Sequence, residues 1–158
     1  MGPAVAEPEK PAAWADSGPD GAAAAAVWFL SEEYRYVLET NDTAEWERLS
    51  HPECVYCASV VTTTAQAADG GVTSREKAPA VVRVTRVEEL NPLAYSVLVR
   101  VDAAGIRDFD SAGQLVHESD ASSGQMLLTF LRTGRDWQFR AGAWLELDAE
   151  VPSALEGE

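Results

Sequence analysis

The sequence predicts an α+β fold in which three N-terminal helices pack on a curved antiparallel sheet, and three observations carry that prediction. Apolar residues recur with a period near 3.6 before residue 70 and with a period of 2 after residue 71. The turn sequences NP at 91–92, DSAG at 110–113 and TGRD at 133–136 separate the alternating runs, as hairpin connections do. No internal repeat breaks the order of helices first and strands after, the layout in which a sheet wraps one long helix.

Residues 1–18, MGPAVAEPEKPAAWADSG, lack a period and are rich in proline and small residues, so they read as a disordered leader or tether. Asp16, Ser17 and Asp20 are candidate N-caps for the first helix, with Pro19 in its first turn. Ala23, Val27, Leu30, Tyr34 and Val37 then form one apolar stripe, with Glu32, Glu33, Arg35 and Glu39 mostly off it, and the helix should stop near Asn41. A short second helix through Trp46 and Leu49 is capped by Asp42 or Thr43. A third starts beside Pro52 and runs through the cysteines to about Ala68, where DGG at 69–71 ends it.

Val82 and Val84 open the strands, followed by Tyr95, Val97, Val99 and Val101 and by Met126, Leu128 and Phe130. The last run, WQFRAGAWLEL, places Trp137, Phe139, Ala141, Ala143, Leu145 and Leu147 on one face. Gly142 is the candidate bulge, and Trp144 falls on the opposite face as a candidate interface residue. One domain is therefore expected over 19–148, with a flexible tail over 149–158.

At 158 residues, 46% hydrophobic and with five tryptophans, the chain has a globular composition. It is long enough to bury roughly 70% of the surface its unfolded form exposes. The formal net charge is −14, and Lys10 and Lys77 are the only lysines. A field of that sign repels phosphate backbones and anionic head groups, so nucleic acid and direct membrane contact are disfavoured as partners. A basic protein or a small ligand is favoured, although acidity also serves solubility. The nine-residue apolar run at 22–30 is too short to span a bilayer, and no basic segment precedes it as an export signal would require.

The stretch HPECVYC at 51–57 holds both cysteines, Cys54 and Cys57, three residues from one another and from His51. The spacing admits a disulfide across i and i+3 at a helix start, which would contribute about 2 kcal/mol by chain entropy. It also admits a redox pair activated by the helix terminus, though without the βαβ context such pairs favour. A zinc site would need a fourth ligand, from His117 or an acid. Inert buried thiols are the remaining reading.

The residues VWFLSEEYRYVLETNDTAEWERLSHPECVYC at 27–57, DSAG at 110–113 and GRDWQFRAGAW at 134–144 resemble the NTF2-like, cystatin-like superfamily and, within it, the DUF6318 family of actinobacterial proteins, many of them lipoproteins. The likeness covers about residues 19–147. It implies an NTF2-like cone with a pocket between sheet and helices, pairing of two copies through their sheets, and an extracytoplasmic, lipid-tethered location. The signal peptide and lipidated cysteine are absent from this sequence, which leaves a cytoplasmic location as the alternative.

Enzymes on this fold place an Asp or His in the pocket. The candidates here are Asp102, Asp108 and His117, with Tyr34, Tyr36 or Tyr95 as hydrogen-bond donors; of these Tyr34, Tyr95, Asp102 and His117 form the candidate pocket set. No spacing selects a catalytic residue, and no motif calls for a metal or a cofactor. Three functions follow as expectations. The first is a non-enzymatic binding domain that takes a protein or small ligand through its sheet face or pocket. The others are an acidic immunity-type protein neutralising a basic toxin, and a small-molecule isomerase or cyclase.

Overall fold

The computed structural model describes residues 5–155. Helix α1 (Pro19–Val27) continues through a π-helical segment (Trp28–Glu33) into α2 (Tyr34–Thr40), and Asn41 ends the rod in the left-handed conformation with φ 58°. The Asn41 amide donates to the Val72 carbonyl at 2.8 Å, which fixes that turn. The nine consecutive apolar residues at 22–30, shared by α1 and the π-helical segment, leave the rotation of the rod open in the sequence. The structure chooses Ala22, Ala26, Phe29, Glu33 and Val37 as the row with at most 1% exposure. Of the expected stripe Leu30 and Val37 are buried, whereas Ala23, Val27 and Tyr34 are half-buried beside the core, and Glu33, expected off the stripe, lies in the core. Phe29 sets this phase, because its ring packs against Trp46, Phe130 and Phe139 with centroids 5.3–5.8 Å away.

Helix α3 (Ala44–Arg48) is entered through Asp42, whose Oδ1 accepts from the Ala44 N–H at 3.0 Å. Helix α4 (Val55–Asp69) follows Cys54. Strands β2 (Val81–Asn91), β3 (Ala94–Ala103), β6 (Ser122–Thr133) and β7 (Asp136–Leu145) form an antiparallel sheet in the order β2-β3-β6-β7. Strands β1 (Thr73–Glu76), β4 (Ile106–Phe109) and β5 (Leu115–Glu118) form a second, smaller sheet in the order β1-β4-β5. These three short strands carry no long apolar alternation, so the sequence pattern does not reveal them.

The leader is not a free tether over the residues described. Ala12–Ala15 form a 3-10 turn that buries Trp14 to 6% exposure, and residues 1–4 lie outside the described residues. The Trp14 carbonyl accepts from the Trp137 indole at 3.1 Å and from Arg132 at 2.7 Å, while the Trp28 indole donates to the Glu9 carbonyl at 3.0 Å. Lys10 pairs with Glu45 and lies 4.9 Å from the Trp28 ring centroid. A single tryptophan inside a proline-rich run is what converts tether to clasp.

The helix cap is also different from the expected ones. Gly18 is the N-cap, because the Asp16 carboxylate is engaged by the Gly18 N–H at 2.7 Å. At Gly21 a Cβ would stand 1.7 Å from the Asp16 carbonyl oxygen and 2.9 Å from the Trp137 ring. Gly21→Ala should therefore push leader and helix apart and lower stability by about 1–3 kcal/mol, measured as a urea midpoint shift.

The tail is likewise docked as far as residue 154. Arg86 donates to the Val151 carbonyl at 2.7 Å, and the Ala154 N–H and Ser153 hydroxyl reach Glu88. Gln125 donates to the Glu146 and Ala149 carbonyls, both at 3.0 Å. Residues 156–158 lie outside the described residues.

In β7 the pairing steps from Phe130–Phe139 to Thr129–Ala141, which leaves Arg140, not Gly142, as the bulge residue. The extra residue reverses the alternation beyond it. Gly142 and Trp144 thus stand opposite Leu128 and Met126, both fully buried, on the concave face. The expectation that Trp144 lies on the opposite face from Phe139 is corrected accordingly.

Candidate functional site

A cavity of about 320 Å³ opens between the helices and the concave side of the sheets. Leu30, Tyr34 and Leu38 line it from the first rod and Tyr56, Val60 and Thr63 from α4. Val101, Ala103, Ile106 and Trp144 line it from the strands, and Glu76 enters from β1. Each wall has a local cause. Leu30 and Tyr34 are the flank residues that the rotation of α1 leaves beside the core, and Trp144 is aimed inward by the Arg140 bulge and remains 53% exposed at the rim.

The α4 wall is anchored at its start. Cys54 and Cys57 are joined as a disulfide, with Cα atoms 5.2 Å apart and both residues at 1% exposure. Cys54 Sγ also accepts from the Cys57 N–H at 3.2 Å, and the Cys57 carbonyl accepts from the Trp46 indole at 3.1 Å. His51 is not a ligand to this pair: its Nδ1 accepts from the Glu53 N–H at 3.0 Å, and its own N–H donates to the Phe139 carbonyl at 2.9 Å. Among the described residues no cluster of His, Cys, Asp and Glu has the arrangement of a metal site. The paired substitution of Cys54 and Cys57 by serine should cost about 2 kcal/mol of unfolding free energy, read from urea titrations of the two proteins.

Glu76 brings a carboxyl group to the cavity. It pairs with Ile106 of β4 across the small sheet, and its Oε1 is buried with no hydrogen-bond partner among the described residues. Burial pushes its carboxyl up to about 6, with the Arg35 guanidinium opposing the rise and the Glu39 carboxylate adding to it. Tyr34 is pushed up by burial and by the nearby Glu76 and Asp108 carboxylates, and Tyr56 by burial and then by Tyr34. The tyrosines elsewhere have partners: Tyr36 donates to Asp42 and Tyr95 to Glu89, each at 2.9 Å. A carboxyl in the wall of a largely apolar cavity can accept a donor from a ligand, or carry a proton to and from one.

Of the residues proposed for the pocket from sequence, Tyr34 alone lines it. Tyr95 packs on Trp137 with ring centroids 5.6 Å apart, away from the cavity lining. Asp102 is taken up by Arg100 at 3.1 Å and by the Ser123 hydroxyl. His117 is 69% exposed in its side chain, 3.3 Å from Asp108, which also accepts from Ser74 at 2.6 Å. Alternation on one strand cannot show which end of the cone a residue faces, and that is why Asp102 and Tyr95 were misplaced. Glu76 escapes sequence reading because TSREK has the composition of a loop and its inward position depends on pairing with a strand some thirty residues away.

The architecture is the NTF2-like, cystatin-like cone. The intermembrane-space region of the chloroplast protein ARC6 superposes with a TM-score of 0.61 at 10% identity, over 78% of this chain and 96% of that one. A putative scytalone dehydratase from Novosphingobium aromaticivorans DSM 12444 gives 0.50 at 14% identity, over 87% and 94%. An uncharacterised protein with a cystatin-like fold from Caulobacter vibrioides gives 0.44 at 12%, over 81% and 93%. No curated protein matches the chain in sequence. The model of a family of unknown function, DUF6318, matches residues 3–145, and the chain belongs to that family.

Proposed function

We propose that this chain is an extracytoplasmic domain, tethered to a membrane through a lipid anchor, that captures a small molecule in its cone. The observation that carries the binding role is the cavity itself. Its apolar walls stand open while Glu76 Oε1, buried on its edge, lacks a partner. Filling such a site removes apolar surface from water, and the Glu76 side chain in its wall offers a polar group to orient the ligand. The joined cysteine pair supports an oxidising compartment. Among the described residues no helix is long and apolar enough to cross a membrane.

The test uses a neutral apolar probe, 2-phenylethanol, followed by amide chemical shifts. Shifts confined to cavity residues such as Thr63, Val101, Ala103 and Gly105 are expected, and they should vanish when Ala103→Phe fills the space. Shifts scattered over the surface would overturn the binding role. For the location, intact mass from the native host under thiol trapping should show a lipid and two hydrogens fewer than the reduced chain; an unlipidated dithiol would overturn it.

A second reading, proton transfer in the cone, is favoured by the Glu76 carboxyl, which burial raises to about 6, within the range useful to a general acid or base. Mass spectrometry of a bound compound separates the two: a binding domain returns it unchanged.

A further inference from the structure

The ligand class of this cavity follows from its unpaired groups, and the inference rests on the binding role proposed above. Among the described residues, neither the Tyr34 nor the Tyr56 hydroxyl makes a side-chain hydrogen bond, whereas the hydroxyls of Tyr36 and Tyr95, outside the cavity, both do. The cavity lining thus combines the Glu76 carboxylate, which makes no hydrogen bond or ion pair among the described residues, with three aromatic side chains, those of Tyr34, Tyr56 and Trp144. We propose that it takes a small organic ammonium ion with an apolar body, Glu76 acting as counter-ion and the aromatic rings as walls.

Three arguments select the cation. A carboxylate in an apolar enclosure is compensated by a positive charge far better than by a neutral donor, and an N–H from an ammonium group meets its oxygen with a charge-assisted hydrogen bond. Electron-rich faces of tyrosine and tryptophan attract cations, the more so when water is excluded. An anion is opposed by Glu76, by Asp108 near Tyr34, and by a chain whose formal charge is −14, a field that draws cations in. A cavity of about 320 Å³ holds the volume of on the order of ten water molecules, room for a single aromatic amine.

The charged groups acting on Glu76 are Arg35 and Glu39, while Asp108 and Glu76 both act on Tyr34, and Tyr56 faces Tyr34 from α4. Arg35 draws on Glu76 without removing the vacancy at its Oε1. Since the Glu76 carboxyl is held near 6, the counter-ion is charged at neutral pH and is lost on acidification, and cation affinity should fall with it.

The experiment titrates the wild-type protein with three probes of one shape, 2-phenylethylamine, 2-phenylethanol and phenylacetate, by calorimetry at pH 7.5 and pH 5.0. The amine should bind about tenfold tighter than the alcohol at pH 7.5, with phenylacetate weakest. The amine's advantage should shrink at pH 5.0. In Glu76→Gln the amine should lose its roughly tenfold advantage over the alcohol, and an unchanged urea midpoint at pH 5.0 shows that the variant is folded. Equal binding of amine and alcohol by the wild type at pH 7.5, or an amine preference that survives Glu76→Gln, overturns the cation assignment and leaves the binding role standing. Binding of none of the three probes overturns both.

Discussion

Trp14→Ala should destabilise the domain by about 3 kcal/mol or more, the usual cost of emptying a buried tryptophan site. The residue is 6% exposed and packs against Trp28 and Phe29 with ring centroids 5.2 and 6.0 Å away. Its indole also reaches Asp136 at 3.4 Å, at the start of the strand that carries the core residues Trp137 and Phe139. Against a typical stability of about 5–15 kcal/mol for a domain, that loss is a large fraction. Urea denaturation of the two proteins decides the matter. A leader that merely trails would make the substitution nearly silent, within about 0.5 kcal/mol, and such a result would refute the clasp.

Glu33→Gln should do the reverse and stabilise the protein above neutral pH. Glu33 is 1% exposed, and its Oε2 has no partner among the described residues. Burial raises its carboxyl to about 7, helped by the Glu45, Asp42 and Glu7 carboxylates and opposed by Lys10. A carboxyl raised in the folded state binds protons there that the unfolded chain has already released. Stability therefore falls as pH rises from about 4.5 through about 7, and the full penalty stands at higher pH. The raised value corresponds to at most about 3 kcal/mol, so a gain of about 1–3 kcal/mol is expected for the amide at pH 8 and little at pH 4.5. Glu76 contributes a smaller slope of the same sign up to about 6, which the variant keeps. Unfolding free energies of both proteins at pH 5, 6.5 and 8 provide the check, and an unchanged difference across that range would remove Glu33 as the source.

The legible parts of the fold were those with strong local signals. Long alternations marked β3 and β6, the Asn41 stop closed the first rod, and the turn sequences at 91–92, 110–113 and 133–136 stand between strands as expected. Signals that depend on a distant partner were lost. The short strands of the small sheet owe their form to one another, with Ser74 facing Asp108 and Asp108 facing His117. The apolar run in α1 named a helix but not its rotation, so Glu33 read as solvent-facing. The same loss affects the site. Tyr34 was named as a hydrogen-bond donor that the fold resemblance implies, whereas Glu76 is one acid in a polar pentapeptide until β4 turns it inward. Trp144 was seen as unusual and assigned the wrong face, since one extra residue at Arg140 inverts the alternation.

The clasped leader also determines how the domain carries mechanical load. Any pull on the chain ahead of Glu9 reaches the contacts of Glu9, Lys10 and Trp14 before it reaches α1. The Trp14 carbonyl passes the tension sideways into Arg132 of β6 and Trp137 of β7, and Glu9 and Lys10 pass it to Trp28 and Glu45. Helix α1 is bypassed as long as the clasp holds, because the load enters at Trp28, beyond its last residue, and in the sheet. A domain anchored through that end could be tugged without α1 unravelling.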